Sequence, residues 1–197
     1  IHSGIFMNGQ VVLYRDQLVY SSEIPTETVE KFHQMVKEDG YGLTAYNDKQ
    51  FYLVASSPGA KDAYGFIHSN PPALNPDFYK ENPINMMLFI SLPPAEEKYK
   101  VAFPNLDFLR NTPYSVDVIS KGNSKAEGIK RFLEHLNQDA KTYAFGDGPN
   151  DIEMLQAVSH PVAMGNALPI LKEIAEYITT DNTDNGIVNG LKHYGLI

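Results

Sequence analysis

The chain contains no cysteine. That absence excludes a disulfide framework and a thiol nucleophile, and it fits a reducing compartment, so a cytoplasmic location is the expectation. Nor is there an apolar run near the ~20 residues of a membrane-spanning helix, and no signal-peptide pattern is visible. Positive charge is scarce: 16 Lys and Arg against 24 Asp and Glu leave a net charge of -8. Such a balance argues against a nucleic-acid partner and against an anionic membrane surface, while leaving room for a small basic pocket that holds phosphate. Internal repeats and low-complexity tracts are also missing. What remains is a globular chain of 197 residues, 43% hydrophobic and 20% charged. That length suits one large core, or a core with a smaller domain set into it.

One stretch organises the rest, Tyr143-Ala144-Phe145-Gly146-Asp147-Gly148-Pro149-Asn150-Asp151-Ile152-Glu153-Met154-Leu155. A short apolar run ends in Gly-Asp-Gly, and apolar residues resume at helical spacing after the Asn-Asp pair, which predicts strand, tight loop, helix. Asp147, Asn150 and Asp151 then project from the carboxyl end of a strand, where open α/β sheets place their chemistry. Two carboxylates and an amide suit a hard cation, Mg²⁺ above all. The same residues are ordinary turn formers, and Asn150 also reads as a helix cap.

Ahead of that loop, Gly4 to Met7 and Val11 to Tyr14 flank Asn8-Gly9, a hairpin signal. Thr26, Glu27 and Glu30 with Val29, Phe32 and Val36 on one face predict a helix of about three turns that stops at Gly40. Between Tyr41 and Ile119, strand-like runs at Phe51–Val54, Met86–Ile90 and Tyr114–Ile119 alternate with Pro-, Asn- and Gly-rich loops, predicting an α+β module with an antiparallel sheet and mostly buried aromatics. From Ser124 the rhythm becomes helix, strand, helix. Ser124 and Glu127 form a capping box, and short strands near 142–145, 161–165 and 177–179 alternate with helices. This order implies a parallel sheet with helices on its faces. Lys125, inside the first turn of its helix, reads either as a solvated lysine or as a charge for an anion near the strand ends.

Ser124-Lys125, Gly146 to Leu155, Val162-Ala163-Met164-Gly165-Asn166-Ala167, and Ile178 to Asn182 with Asn185-Gly186-Ile187 together resemble, in order and spacing, the C-terminal half of a haloacid dehalogenase (HAD) superfamily phosphatase. The Cof-like branch, with a large α/β cap between its second and third motifs, fits best, and Met7-Asn8-Gly9 resembles the turn that branch carries before its cap. The resemblance implies an α/β fold: a Rossmann-like parallel-sheet core interrupted by an α+β cap domain, partitioned as core 1–23, cap 24–119 and core 120–197. It also implies a Mg²⁺-dependent phosphomonoester hydrolase acting on a small phosphorylated metabolite, such as a sugar phosphate, through an aspartyl phosphate. Asp147 is then a direct metal ligand and Asp151 a second one through water. Lys125 neutralises the nucleophile and the transferring group, Asn150 binds phosphate or orients Lys125, and Asn8 contacts substrate unless it serves only its turn.

The family's opening Asp-x-Asp-Gly-Thr, source of the nucleophile, has no counterpart ahead of Asn8. With Ile1 rather than Met at the start, the expectation is that this motif and its central strands lie upstream, and that residues 1–197 alone are inactive. A pseudoenzyme that binds phosphoryl ligands without a nucleophile is one alternative, separated by the upstream sequence. A phosphomutase is another, disfavoured by the sheet-like texture of residues 41–119. A calcium loop at Asp181–Gly186 fails because Thr183 stands where Asp or Asn is wanted and Lys192 where a bidentate Glu is needed.

Overall fold

A computed structural model describes residues 2–137 and 140–197, which form two compact units dividing between Asn123 and Ser124. Ile1, on which the expectation about the chain's start rests, lies outside the described residues.

The first unit opens with β1 (Gly4–Phe6), β2 (Val11–Tyr14) and β3 (Gln17–Ser21) in an antiparallel sheet of that order. Asn8 (φ 54°, ψ 37°) and Gly9 (φ 90°) make a type I′ turn between the first two, closed by the Gln10 N–H on the Met7 carbonyl at 3.2 Å. Both central residues need positive φ, which Asn and Gly tolerate. The Asn8 amide donates to Asp117 Oδ2 at 2.9 Å and so ties the turn to a distant strand of the same unit. Arg15 and Asp16, with φ of 49° and 64°, make a second tight turn without any glycine.

The expected helix is α1 (Thr26–Asp39), ended by Gly40 in the left-handed conformation. It runs nearly four turns. After it come β4 (Gly42–Tyr46), β5 (Phe51–Ala55), α2 (Ala60–Phe66), α3 (Phe78–Glu81), β6 (Met86–Ile90), α4 (Glu96–Ala102), β7 (Leu106–Thr112) and β8 (Ser115–Ser120). The strands form the anticipated antiparallel sheet, in the order β5-β4-β6-β8-β7. Val29, Phe32 and Val36 of α1 lie on its core side with Leu43, Met87, Phe89, Tyr99 and Val118, all fully buried. Burying such side chains is worth about 1.5–3 kcal/mol each, which holds a helix whose intrinsic propensity alone would not.

The second unit alternates α5 (Lys125–Leu136), β9 (Tyr143–Gly146), α6 (Ile152–Ala157), β10 (His160–Ala163), α7 (Pro169–Ile174), β11 (Tyr177–Ile178) and α8 (Gly186–His193). Its strands are parallel, in the order β11-β10-β9, with Val162 opposite both Phe145 and Tyr177. Ser124 caps α5 by accepting the Glu127 N–H at 3.3 Å, the N-cap half of the expected capping box. The Asp181–Gly186 segment is a turn in which Asp181 Oδ1 accepts the Thr183 N–H (3.0 Å) and hydroxyl (2.8 Å). Among the described residues no helix is long and apolar enough to cross a membrane.

Candidate active site

The carboxyl ends of the three parallel strands meet in one polar cluster, and the local sequence explains how. β9 ends at Gly146, where any Cβ would lie 2.7 Å from Asp151 Cβ. The space left by that missing side chain lets Asp151 fold back under the loop. Pro149 then starts a single 3₁₀ turn, Pro149–Asp151, with the Asp151 N–H on the Gly148 carbonyl at 3.0 Å, and α6 follows at Ile152. Asp151, not Asn150, is the residue at the N-cap of α6. Its Oδ2 accepts the N–H groups of Asp147 (3.0 Å) and Gly148 (3.1 Å).

Lys125 reaches the other oxygen. Its Nζ donates to Asp151 Oδ1 at 2.5 Å, although 26 residues separate the two in sequence. The Asp151 side chain is only 7% exposed and that of Lys125 is 31% exposed. A buried carboxylate is costly unless paired and hydrogen-bonded, and Asp151 has a cation and two backbone donors. The solvated reading of Lys125 is thereby replaced: the ammonium is a placed charge with further donors to give.

Asp147 differs from its neighbour in being exposed. Its Oδ2 accepts the Asn166 amide at 2.9 Å, and Asn166 Oδ1 accepts the backbone N–H of Asn182 at 3.1 Å. The loop after β10 is itself pinned to the loop after β11. The Gly165 N–H meets the Thr180 carbonyl at 3.0 Å, and a Cβ at Gly165 would stand 2.6 Å from the Asp181 nitrogen, so only glycine permits that approach. Lys172 Nζ donates to the Gly165 carbonyl at 2.6 Å. Asn166 sits in the Met-Gly-Asn-Ala run singled out by sequence, yet no role for it was legible there. Its signal is an Asn placed directly after a close-packed Gly at the end of the next parallel strand.

The cluster therefore holds Lys125, Asp147 and Asp151 together, with Asn150 half-buried in the intervening turn. Asn8 belongs to the other unit, where it bonds to Asp117. As a metal site the donor set is of one kind. Among the described residues no group of three His, Cys, Asp or Glu side chains converges, which does not suit a structural zinc or an all-protein calcium cage. One exposed carboxylate with a second nearby suits Mg²⁺, which keeps several waters and shares its coordination with substrate phosphate.

Comparison with known proteins gives a consistent picture. Residues 2–191 match the family model of haloacid dehalogenase-like hydrolases. A Bacillus subtilis (strain 168) protein named "Putative phosphatase YkrA" is 37% identical over 199 residues, which take in 100% of this chain and 77% of that protein. The crystal structure of a hypothetical protein of Geobacillus kaustophilus HTA426 superposes with a TM-score of 0.88 at 33% identity, covering 100% of this chain and 78% of that one. The sugar phosphatase BT4131, of HAD subclass IIB, gives a TM-score of 0.85 at 28% identity, covering 100% of this chain and 77% of its own.

Proposed function

This chain belongs to the haloacid dehalogenase-like hydrolase family, and on that footing we propose that it is a Mg²⁺-dependent phosphatase of small phosphorylated metabolites, with Lys125, Asp147 and Asp151 at its active centre. The observation that carries the reading is the Lys125–Asp151 pair at the end of β9, set beside the exposed carboxylate of Asp147. A fixed ammonium next to a carboxylate available for a cation is what a transferring phosphoryl group needs, because that reaction depends on positioning and charge more than on covalent help from the protein.

In this reading Asp147 binds Mg²⁺ directly, its free geometry set by Asn166. Asp151, whose two oxygens already accept three hydrogen bonds, reaches the metal only through water and serves chiefly to hold Lys125. When bound, Mg²⁺ supplies positive charge that offsets the repulsion between an attacking carboxylate and the phosphoryl oxygens. Lys125 spends one donor on Asp151 and directs the others at the transferring group. Asn150 offers its amide to a phosphoryl oxygen, while Asn8 pins its turn to Asp117. The attacking carboxylate implied by the family, the first Asp of Asp-x-Asp-Gly-Thr, is not among residues 1–197. A sugar phosphate is the substrate class favoured, by likeness to the sugar phosphatase BT4131, and the lack of cysteine suits a cytoplasmic enzyme.

The test is a panel of sugar phosphates and other phosphate monoesters incubated with Mg²⁺ and a preparation of the protein that carries the attacking carboxylate, with release of orthophosphate measured. Release that EDTA abolishes and added Mg²⁺ restores is expected. Release indifferent to EDTA, or none from any monoester by a preparation that carries the attacking carboxylate, would remove the proposal.

A further inference from the structure

The first unit contains a cavity of about 660 Å³ that shares no residue with the Asp147 cluster. It lies at the end of the five-stranded sheet away from the passage into the second unit. β6 begins at Met86, next to Asn85, whose amide donates to Ser21 and Ser22 near that passage, and it ends at Ile90, which forms part of the cavity wall. The volume is that of a small-molecule site.

Its walls are held in place by half-buried polar contacts. Arg110 forks onto Glu96 with two bonds of 2.6 Å, and its Nη1 donates to the Ser91 (3.1 Å) and Pro113 (3.2 Å) carbonyls. Glu96 is 7% exposed. This bidentate pair clamps the Ser91–Glu96 segment to the β7–β8 turn, and those two segments supply Leu92, Pro93 and Tyr114 to the cavity. A cavity bounded by a rigid clamp keeps its shape when empty, which lowers the entropic cost of occupation.

The charges around it are unequal. Asp39 is already matched, with both oxygens 2.8 Å from Lys98 Nζ and one 2.8 Å from the Tyr99 hydroxyl. Asp62, on the exposed side of α2, makes no ion pair among the described residues. The lining therefore carries one surplus carboxylate over an apolar floor, with the Tyr41 and Tyr114 rings alongside. Aromatic faces add to the attraction for a cation. We propose that this cavity binds a small organic ammonium with an aromatic or branched aliphatic body, the cationic end on Asp62 and the body against Ile90, Leu92 and Tyr114.

Three probes of one shape separate charge from simple apolar burial: 2-phenylethylamine, 2-phenylethanol and phenylacetate, titrated into the full chain and followed by NMR at Ile90, Leu92 and Ala95. The amine should saturate those signals, the alcohol should bind about fivefold more weakly, as for loss of a partly exposed ion pair, and phenylacetate should leave them unmoved. Asp62→Asn should bring the amine down to the alcohol. Gly59→Leu should abolish binding of both, since a Cβ there points past Ile90 (3.8 Å) and Ser57 (3.9 Å), both of the lining, and a φ of -70° suits any residue. Phenylacetate or the alcohol binding as tightly as the amine, an Asp62→Asn variant that keeps full amine affinity, or a Gly59→Leu variant that still binds would each overturn the proposal.

Discussion

In the first unit the ring of Phe32 meets Phe89, Tyr99 and Phe103 at centroid distances of 5.6, 5.0 and 4.9 Å, under a sheet of five strands. In the second, the buried apolar cluster is Ala144, Leu155, Ala163, Met164, Ala167 and Leu171 against a sheet of three. The buried centre of one unit is built of large interlocking rings, and that of the other of alanine, leucine and methionine, with its own rings Tyr143, His160 and Tyr194 packed outside that cluster. That difference has a functional side. The missing side chains at Gly146 and Gly165 make room for Asp151 and for the Asn166 loop, so the strand ends of the second unit are ordered by hydrogen bonds around charged groups. Stability and chemistry should therefore respond to different substitutions.

Phe32→Ala should produce the largest effect. Emptying the centre of the ring cluster is expected to cost about 3–5 kcal/mol, a large share of the ~5–15 kcal/mol that holds a typical domain. Hydrogen exchange should accelerate in β4 and β6 while β9 and β10 stay protected. Equal acceleration in both units would erase the contrast drawn here.

Lys125→Ala sharpens the other side. It should lower phosphate release by about a hundredfold or more, the scale for losing one preorganised electrostatic contact, with exchange in β4 and β6 untouched. Near-normal turnover would return Lys125 to a structural partner of Asp151. Asn166→Ala comes next. An outer partner of a metal ligand commonly accounts for about ten- to a hundredfold in metal affinity, so the Mg²⁺ concentration for half-maximal activity should rise about tenfold at nearly unchanged maximal rate. If the maximal rate alone falls, Asn166 does something other than aim Asp147.

The smallest effect is one of pH and belongs to the first unit. Burial holds His33 below its ordinary value of 6.5, with Lys37 adding repulsion and Val54 and Asp77 opposing both. The unfolded chain then takes up the proton first, so this contribution to stability is intact above about pH 6.5 and shrinks as pH falls from there toward the folded value. Denaturant midpoints between pH 7 and 5 should decline less steeply for His33→Gln than for the wild type. Parallel declines would mean that His33 contributes nothing to the slope.

The elements that could be read from the residues alone are those whose pattern repeats. α1 and α5 show a full apolar face, and β5, β6, β8 and β9 are runs of strand-forming residues. β4 was not legible, because Gly42, Leu43, Thr44 and Ala45 are all buried in a central strand and neither alternate nor stand out. The polar residues of β7, Asp107, Arg110 and Asn111, read as loop, and α2, α3 and α4 span seven, four and seven residues, too short for a helical period to declare itself. In the candidate cluster, Asp147 and Asp151 stood out through their loop chemistry, whereas the capped helix left Lys125 open between a solvated lysine and a placed charge, and only the family resemblance gave it a role. The Asn166–Asp147 bond was not legible, since it depends on two loops meeting at the ends of neighbouring parallel strands. Arg110 and Glu96 were missed because their pairing joins β7 to the first residue of the short helix α4, which no local pattern marks.

Asp147 is proposed to hold the metal of a phosphatase whose charge is organised by Lys125 and Asp151. Mg²⁺ titration of phosphate release by Asp147→Asn, beside the wild type, tests it most directly, because an amide keeps the oxygen and loses only the charge. The variant should need more than about a hundredfold more Mg²⁺, beyond the loss expected for an outer partner, while its circular dichroism and denaturant midpoint match the wild type. Superimposable Mg²⁺ curves for the two proteins would contradict the account.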